Sequence, residues 1–160
     1  MMAVAQSNKE DVDLVLTLYG KQKKMLIAGY MQVSGQDSVA FWKLYDDFEA
    51  KRKILSAERL DLIQQYAEQY QTLTDDQAEK LTAGVIGNNL KIDNLHNEYF
   101  KKFRKISGGK NAAKLFQLEL YFSTAVRLSL MNGIPFIDEM NSEMKPGAEG
   151  ILPPPTNQNL

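Results

Sequence analysis

The residue best equipped for chemistry is His96, the single histidine of the chain, with Asp93 three positions before it. On a helix that spacing puts imidazole and carboxylate on one face, which begins either a metal site or a general base steadied by an acid. Neither arrangement finds its remaining parts. A tight transition-metal site draws on further histidines or thiolates, and the chain has no cysteine. A hydrolytic triad needs a nucleophile beside the base, and the sequence singles none out near His96. Asp93 and His96 are therefore expected on a solvated helix face.

Other chemical patterns fail for similar reasons. Asp46-Asp47 and Asp75-Asp76 are adjacent pairs, so on a helix their carboxylates diverge and cannot act as acid and base on one bond. Gly108-Gly109-Lys110 lacks both the spacing of a phosphate-cradling loop and a strand ahead of it. Met25, Met31, Met131, Met140 and Met144 would suit a soft metal or an adaptable surface, but methionine more often fills gaps in a core. The expectation is a protein that is not an enzyme, with no catalytic, cofactor-binding or metal-ligating residues.

One segment departs from an ordinary charge pattern. Between Tyr99 and Leu118 stand Lys101, Lys102, Arg104, Lys105, Lys110 and Lys114, with no acid. Lysines closing a helix complement its negative end; Lys110 and Lys114, opening the next one, gain nothing from the dipole. Tyr99, Phe100, Phe103 and Phe116 are interleaved with them. Lys101, Lys102, Phe103, Arg104, Lys105, Lys110 and Lys114 are accordingly either a solvated cap, with some of the rings filling the core, or a partner-binding tip for acidic or partly unfolded protein segments, in preference to nucleic acid.

Composition sets the scaffold. The 160 residues are 44% hydrophobic and 24% charged, with a formal net charge of −1, the balance of one globular domain. All five prolines lie from Pro135 onward, so nothing before them forbids long helices. The reading is a helical domain over 1–137 and a flexible, proline-containing tail over 138–160. That tail sets Asp138, Glu139, Glu143 and Glu149 against Lys145. No apolar run approaches the ~20 residues of a membrane helix, and insertion in a membrane is not expected. Ala3-Val4-Ala5 has the small-residue pattern of a signal-peptide cleavage site, without the apolar stretch that precedes one.

Periodicity predicts an all-α fold, an elongated antiparallel bundle of about four helices with two long central ones. The first opens on a capping box at Ser7-Asn8-Lys9-Glu10, turns Val15, Leu18, Met25 and Leu26 inward, and ends near Gly35. The second, from about Asp37 to Thr72, carries Phe41, Tyr45, Phe48, Arg52, Leu55, Arg59, Leu62 and Tyr66 at steps of three and four. The third begins at Leu73-Thr74-Asp75-Asp76-Gln77, where Thr74 caps and Gln77 reaches back. Its inward row runs Ala78, Leu81, Val85, Asn88, Ile92, Leu95, Tyr99, Phe103, Ile106, with a bend or close contact at Gly84 and Gly87. Ser107-Gly108-Gly109 ends it, and a fourth runs to Asn132-Gly133.

The helix-start residues Leu73, Thr74 and Gln77 make a Leu-Thr-x-x-Gln motif that resembles the Spy/CpxP-like family of bacterial envelope proteins. Val33-Ser34-Gly35-Gln36-Asp37 stands where a first, degenerate copy would open the second helix. Phe41-Trp42-Lys43-Leu44-Tyr45-Asp46-Asp47-Phe48 and Lys114-Leu115-Phe116-Gln117-Leu118-Glu119 are similar to uncharacterised members. The likeness spans about Val33 to Ile137; the glycines at 84 and 87 and the acidic tail depart from the family pattern. It implies a periplasmic protein whose signal peptide is absent from this chain, and an antiparallel helical dimer shaped as a cradle. Its implied activity is that of an ATP-independent chaperone or envelope-stress accessory, with unfolded clients or a sensor protein as partners and no cofactor. The alternatives are a ligand- or metal-responsive signalling module and a structural helical dimer.

Overall fold

The computed structural model describes residues 3–134 and 137. The protein is all-α: α1 (Ala3–Met31), α2 (Gln36–Gln69) and α3 (Asp75–Asn132), with no strand among the described residues. None of the helices is long and apolar enough to cross a membrane. The tail over 138–160 lies outside the described residues.

Long helices follow from the sequence. Without proline before position 135, α2 runs unbroken for 34 residues, about 50 Å at ~1.5 Å per residue. Its aromatic row faces inward as expected: Phe41, Tyr45 and Phe48 are buried, and Arg52, Leu55, Arg59, Leu62 and Tyr66 are half-buried behind them. The start of α3 is the predicted capping box. Gln77 N–H donates to Thr74 Oγ1 at 3.3 Å, and Thr74 N–H donates to Gln77 Oε1 at 3.0 Å. The start of α2 has no such box; Gly35 stands at its N-cap with φ +80° and no side-chain bond.

A straight helix from Asp75 to Asn132 would separate His96 from Phe116 by about 30 Å, yet their rings lie 5.9 Å apart. Phe100 and Phe103 likewise sit 5.8 and 6.0 Å from Phe116. The cause is Gly108, whose φ of +82° and ψ of 163° interrupt the helix so that its second arm folds back along the first. Only glycine takes such torsions without strain. No equivalent break occurs at Gly84 or Gly87. Gly84 instead permits close approach of α2, since a Cβ there would stand 2.8 Å from Leu62 Cδ2.

The core is a cluster of rings closed by this fold-back. Phe41 meets Phe103 at 5.0 Å, and Phe48 meets Tyr99 at 5.3 Å and Phe116 at 5.8 Å. Tilted and edge-on contacts at these distances match the quadrupoles of the rings. Leu95, Ala112 and Leu115 fill the spaces between them.

α1 departs from its sequence reading. It begins at Ala3, ahead of the expected box at Ser7, and stops at Met31, where Gln32 takes φ +51° and returns its N–H to Ala28 O at 3.2 Å. The inward face is also reversed. Leu18, Met25 and Leu26 are 50%, 75% and 61% exposed, whereas Lys23 and Ile27 are fully buried. The inward row of α3 holds better, with Leu81, Asn88, Ile92, Leu95, Tyr99 and Phe103 buried and Ile106 exposed.

Candidate functional site

The basic segment is placed around the Gly108 reversal, but not as a mixed charged and aromatic surface. Helical period sends the rings one way and the cations the other. Phe103 and Tyr99 are wholly buried and Phe116 nearly so, so Phe103 belongs to the core and drops out of the predicted tip. Lys101, Arg104, Lys105 and Lys110 are exposed. Lys102 pairs with Glu98 at 2.6 Å and stands 4.4 Å above the Tyr99 ring. Lys114 is used locally too: it donates to the Tyr30 carbonyl at 3.0 Å and stacks on that ring, which ties α1 to the second arm of α3. Of the motif Leu73, Thr74 and Gln77, the last two form the capping box that starts α3.

The sequence gives no sign of the most unusual arrangement, a buried ion cluster around Lys23. Its ammonium donates to Glu49 at 2.5 Å and to Glu119 at 2.8 Å, joining α1 to α2 and to the far arm of α3. Tyr45 donates to the other Glu119 oxygen at 3.0 Å. Arg52 holds Glu49 from the side through two bonds, at 2.8 and 3.0 Å, and passes a third to Ser56 at 3.1 Å. Lys23 and Glu119 side chains are 1% and 2% exposed.

Electrostatics divide the two acids. Burial alone would raise the Glu49 carboxyl, but Arg52 and Lys23 outweigh it and hold Glu49 below the usual carboxylate range. Glu119 has no arginine fork; burial dominates and pushes it up against the pull of Lys23 and the Tyr45 hydroxyl. Burial, and then the Glu119 charge, drive the Tyr45 phenol well above its ordinary value. Every polar group in this cluster has a partner, so it works as an ionic clasp.

His96 corrects another expectation. It is 7% exposed, packed between Phe48 at 5.9 Å and Phe116 at 5.9 Å, because the fold-back of α3 covers the face that a lone helix would leave wet. Burial lowers its basicity against the opposing charge of the exposed Asp93. Its Nδ1 is buried without a hydrogen-bond partner. Among the described residues no three His, Cys, Asp or Glu side chains gather where they could hold a metal ion.

Apolar groups on the surface complete the inventory. On α1, Leu18, Met25 and Leu26 follow the i, i+7, i+8 spacing of one stripe, opposite Lys23 and Ile27. On the second arm of α3, Leu120, Tyr121 and Leu128 are 50%, 68% and 41% exposed. Both rows stand exposed among the described residues. No protein-family model, no curated protein and no solved structure matches the chain.

Proposed function

We propose that this protein acts by binding other proteins, as a Spy/CpxP-like envelope protein that holds partly unfolded clients or a stress-sensing partner reversibly and without nucleotide. One observation carries the reading: α1 turns its apolar stripe, Leu18, Met25 and Leu26, to the outside and Lys23 to the inside. A helix that spends its apolar residues on the surface has a use for them there. Exposed Lys101, Arg104, Lys105 and Lys110 add attraction for acidic segments, speeding encounter more than strengthening the complex. Such a protein lacks catalytic residues and cofactor. Its architecture is an elongated antiparallel bundle of four helices, the arms of α3 counted separately, and two copies pair on a surface other than the client-binding α1 stripe.

The test is suppression of aggregation of a destabilised client. The intact protein delays aggregation at stoichiometric amounts; Leu18→Ser, Met25→Ser and Leu26→Ser together weaken the effect several-fold with helix content unchanged. Reversing Lys101, Lys102, Arg104 and Lys105 to Glu slows capture of acidic clients most, and most at low salt. No delay by the intact protein removes the client-binding reading. Light scattering reports the pairing separately, as twice the 18.1 kDa chain mass.

A further inference from the structure

Behind the ionic clasp lies a cavity of about 270 Å³, bounded by α1, α2 and both arms of α3. Leu60, Ile92, Phe122, Val126 and Leu130 give it apolar walls, while Arg59, Arg127 and His96 also reach it. The cations on its wall are not equivalent. Lys23 and Arg52 also line it, but their charges are matched by Glu49 and Glu119 in the bonds described above.

Arg59 is fixed but not neutralised. It donates from Nε to Asn88 Oδ1 at 3.2 Å and from its far end to Asn89, both uncharged, and Asn88 is itself anchored to the Leu55 carbonyl at 2.9 Å. Arg127 has no hydrogen-bond or ionic partner among the described residues, and its charge acts on both Arg59 and His96. Asp93 is the acid whose charge acts on both Arg59 and His96 in the opposite sense, and it lies exposed. Two guanidinium groups against one solvated carboxylate leave the cavity with about one unmatched positive charge. The unpartnered Nδ1 of His96, in the same wall, is a second unsatisfied polar group. Of the two, His96 Nδ1 is the buried one, and a buried group of that kind calls for a partner.

We propose that this cavity binds a small amphipathic monoanion: a carboxylate on an apolar body, the carboxylate on Arg127 and Arg59 and the body against Ile92, Phe122 and Val126. The guanidinium fork matches a carboxylate in shape. One excess charge favours a monoanion over a phosphate dianion. An engineered dry cavity of ~150 Å³ accepts benzene, so about 270 Å³ has room for a body of roughly ten carbons. This site is separate from the α1 stripe and stands whether or not the protein binds clients.

Titration calorimetry with decanoate on the full chain tests it. One decanoate per chain is expected, with decanol and acetate at least tenfold weaker because each lacks one half of the recognition. Arg127→Gln weakens decanoate tenfold or more, Arg127→Lys less. Ser123→Phe, which fills the cavity from its wall, abolishes binding while circular dichroism shows the parent helix content. Decanoate that binds no better than decanol, or that binds the Ser123→Phe protein unchanged, overturns the proposal, since attachment would then be to exposed apolar residues. Absence of heat with the folded parent at millimolar decanoate overturns it equally.

Discussion

Replacing Lys23 by methionine keeps the length and packing of the side chain and removes only its charge. At 2.8 Å from Glu119 and an effective dielectric of ~20, the attraction lost is ~6 kcal/mol before desolvation is counted. Part of it returns, because a buried ammonium no longer has to leave water. Breaking a buried pair from one side still costs about 3–5 kcal/mol, since the other ion stays behind uncompensated. The lower end applies here, because Glu119 can escape by taking up a proton. Lys23→Met is therefore expected to lose about 3 kcal/mol at neutral pH, a fall in Tm of roughly 6–12 °C for a chain of this size.

The pH dependence gives the same prediction a sign. Burial already raises the Glu119 carboxyl above its ordinary 4.5, and loss of Lys23 raises it further. A group with a raised folded-state pKa contributes its stability in full below the ordinary value and loses it as pH rises through the folded one. The deficit of Lys23→Met should therefore grow from pH 4.5 towards neutrality. Urea unfolding followed by circular dichroism measures it. The double variant with Glu119→Gln should recover about 1–3 kcal/mol relative to the sum of the singles. A Lys23→Met protein within about 1 kcal/mol of the parent at neutral pH, or one additive with Glu119→Gln, would refute the clasp.

The glycines separate by environment in the same assay. A methyl group at Gly87 meets nothing within 4 Å, so Gly87→Ala should stabilise by ~0.5–1 kcal/mol, whereas Gly84→Ala must displace Leu62 and gains less. Gly108→Ala, forced to φ +82° and ψ 163°, a region essentially confined to glycine, should lose about 1–3 kcal/mol. Burial holds the His96 imidazole below its ordinary 6.5, so its contribution is present above that value and fades as pH falls. His96→Leu should flatten the acid side of the stability profile below pH 6.5; an unchanged slope would assign that slope to other groups.

Where local chemistry and tertiary packing agree, the sequence is legible. Phe41, Tyr45 and Phe48 are large, apolar and periodic, so their inward face follows from hydrophobic burial alone. Thr74 with Gln77 and the glycines after Ser107 are local signals whose partners lie within a few residues. α1 fails that condition. Its buried lysine is explained by Glu119, 96 positions away, and no periodicity reports a partner so distant. Hydropathy then assigns the inward face to Leu18 and Met25, the opposite side of the helix. His96 and Phe103 were misplaced for a related reason: the return of the second arm covers His96, and helical phase takes Phe103 away from its basic neighbours.

The way α1 is attached bears on what its outer stripe can do. Among the described side chains of α1 the one fully buried apolar residue is Ile27, with Met31 packed partly buried against the core; ionic and polar contacts add to these through Lys23, the Lys24–Asp46 pair, the Lys53 bond to Thr17 and the Lys114 bond to Tyr30. Apolar burial stabilises without regard to register, whereas an ionic clasp fixes one register and one depth. The two long helices share the aromatic core and α1 rests on it, so native-state hydrogen exchange should show the amides of α1 opening at lower free energy than those of α2 and α3. Detachment of α1 strips the cover from Tyr45 and Phe48 and strands Glu119 without its lysine, so the cluster resists opening at the point where the core would be exposed. A helix clasped by charge on one side and apolar on the other can give its outer face to a partner without giving up the core beneath it.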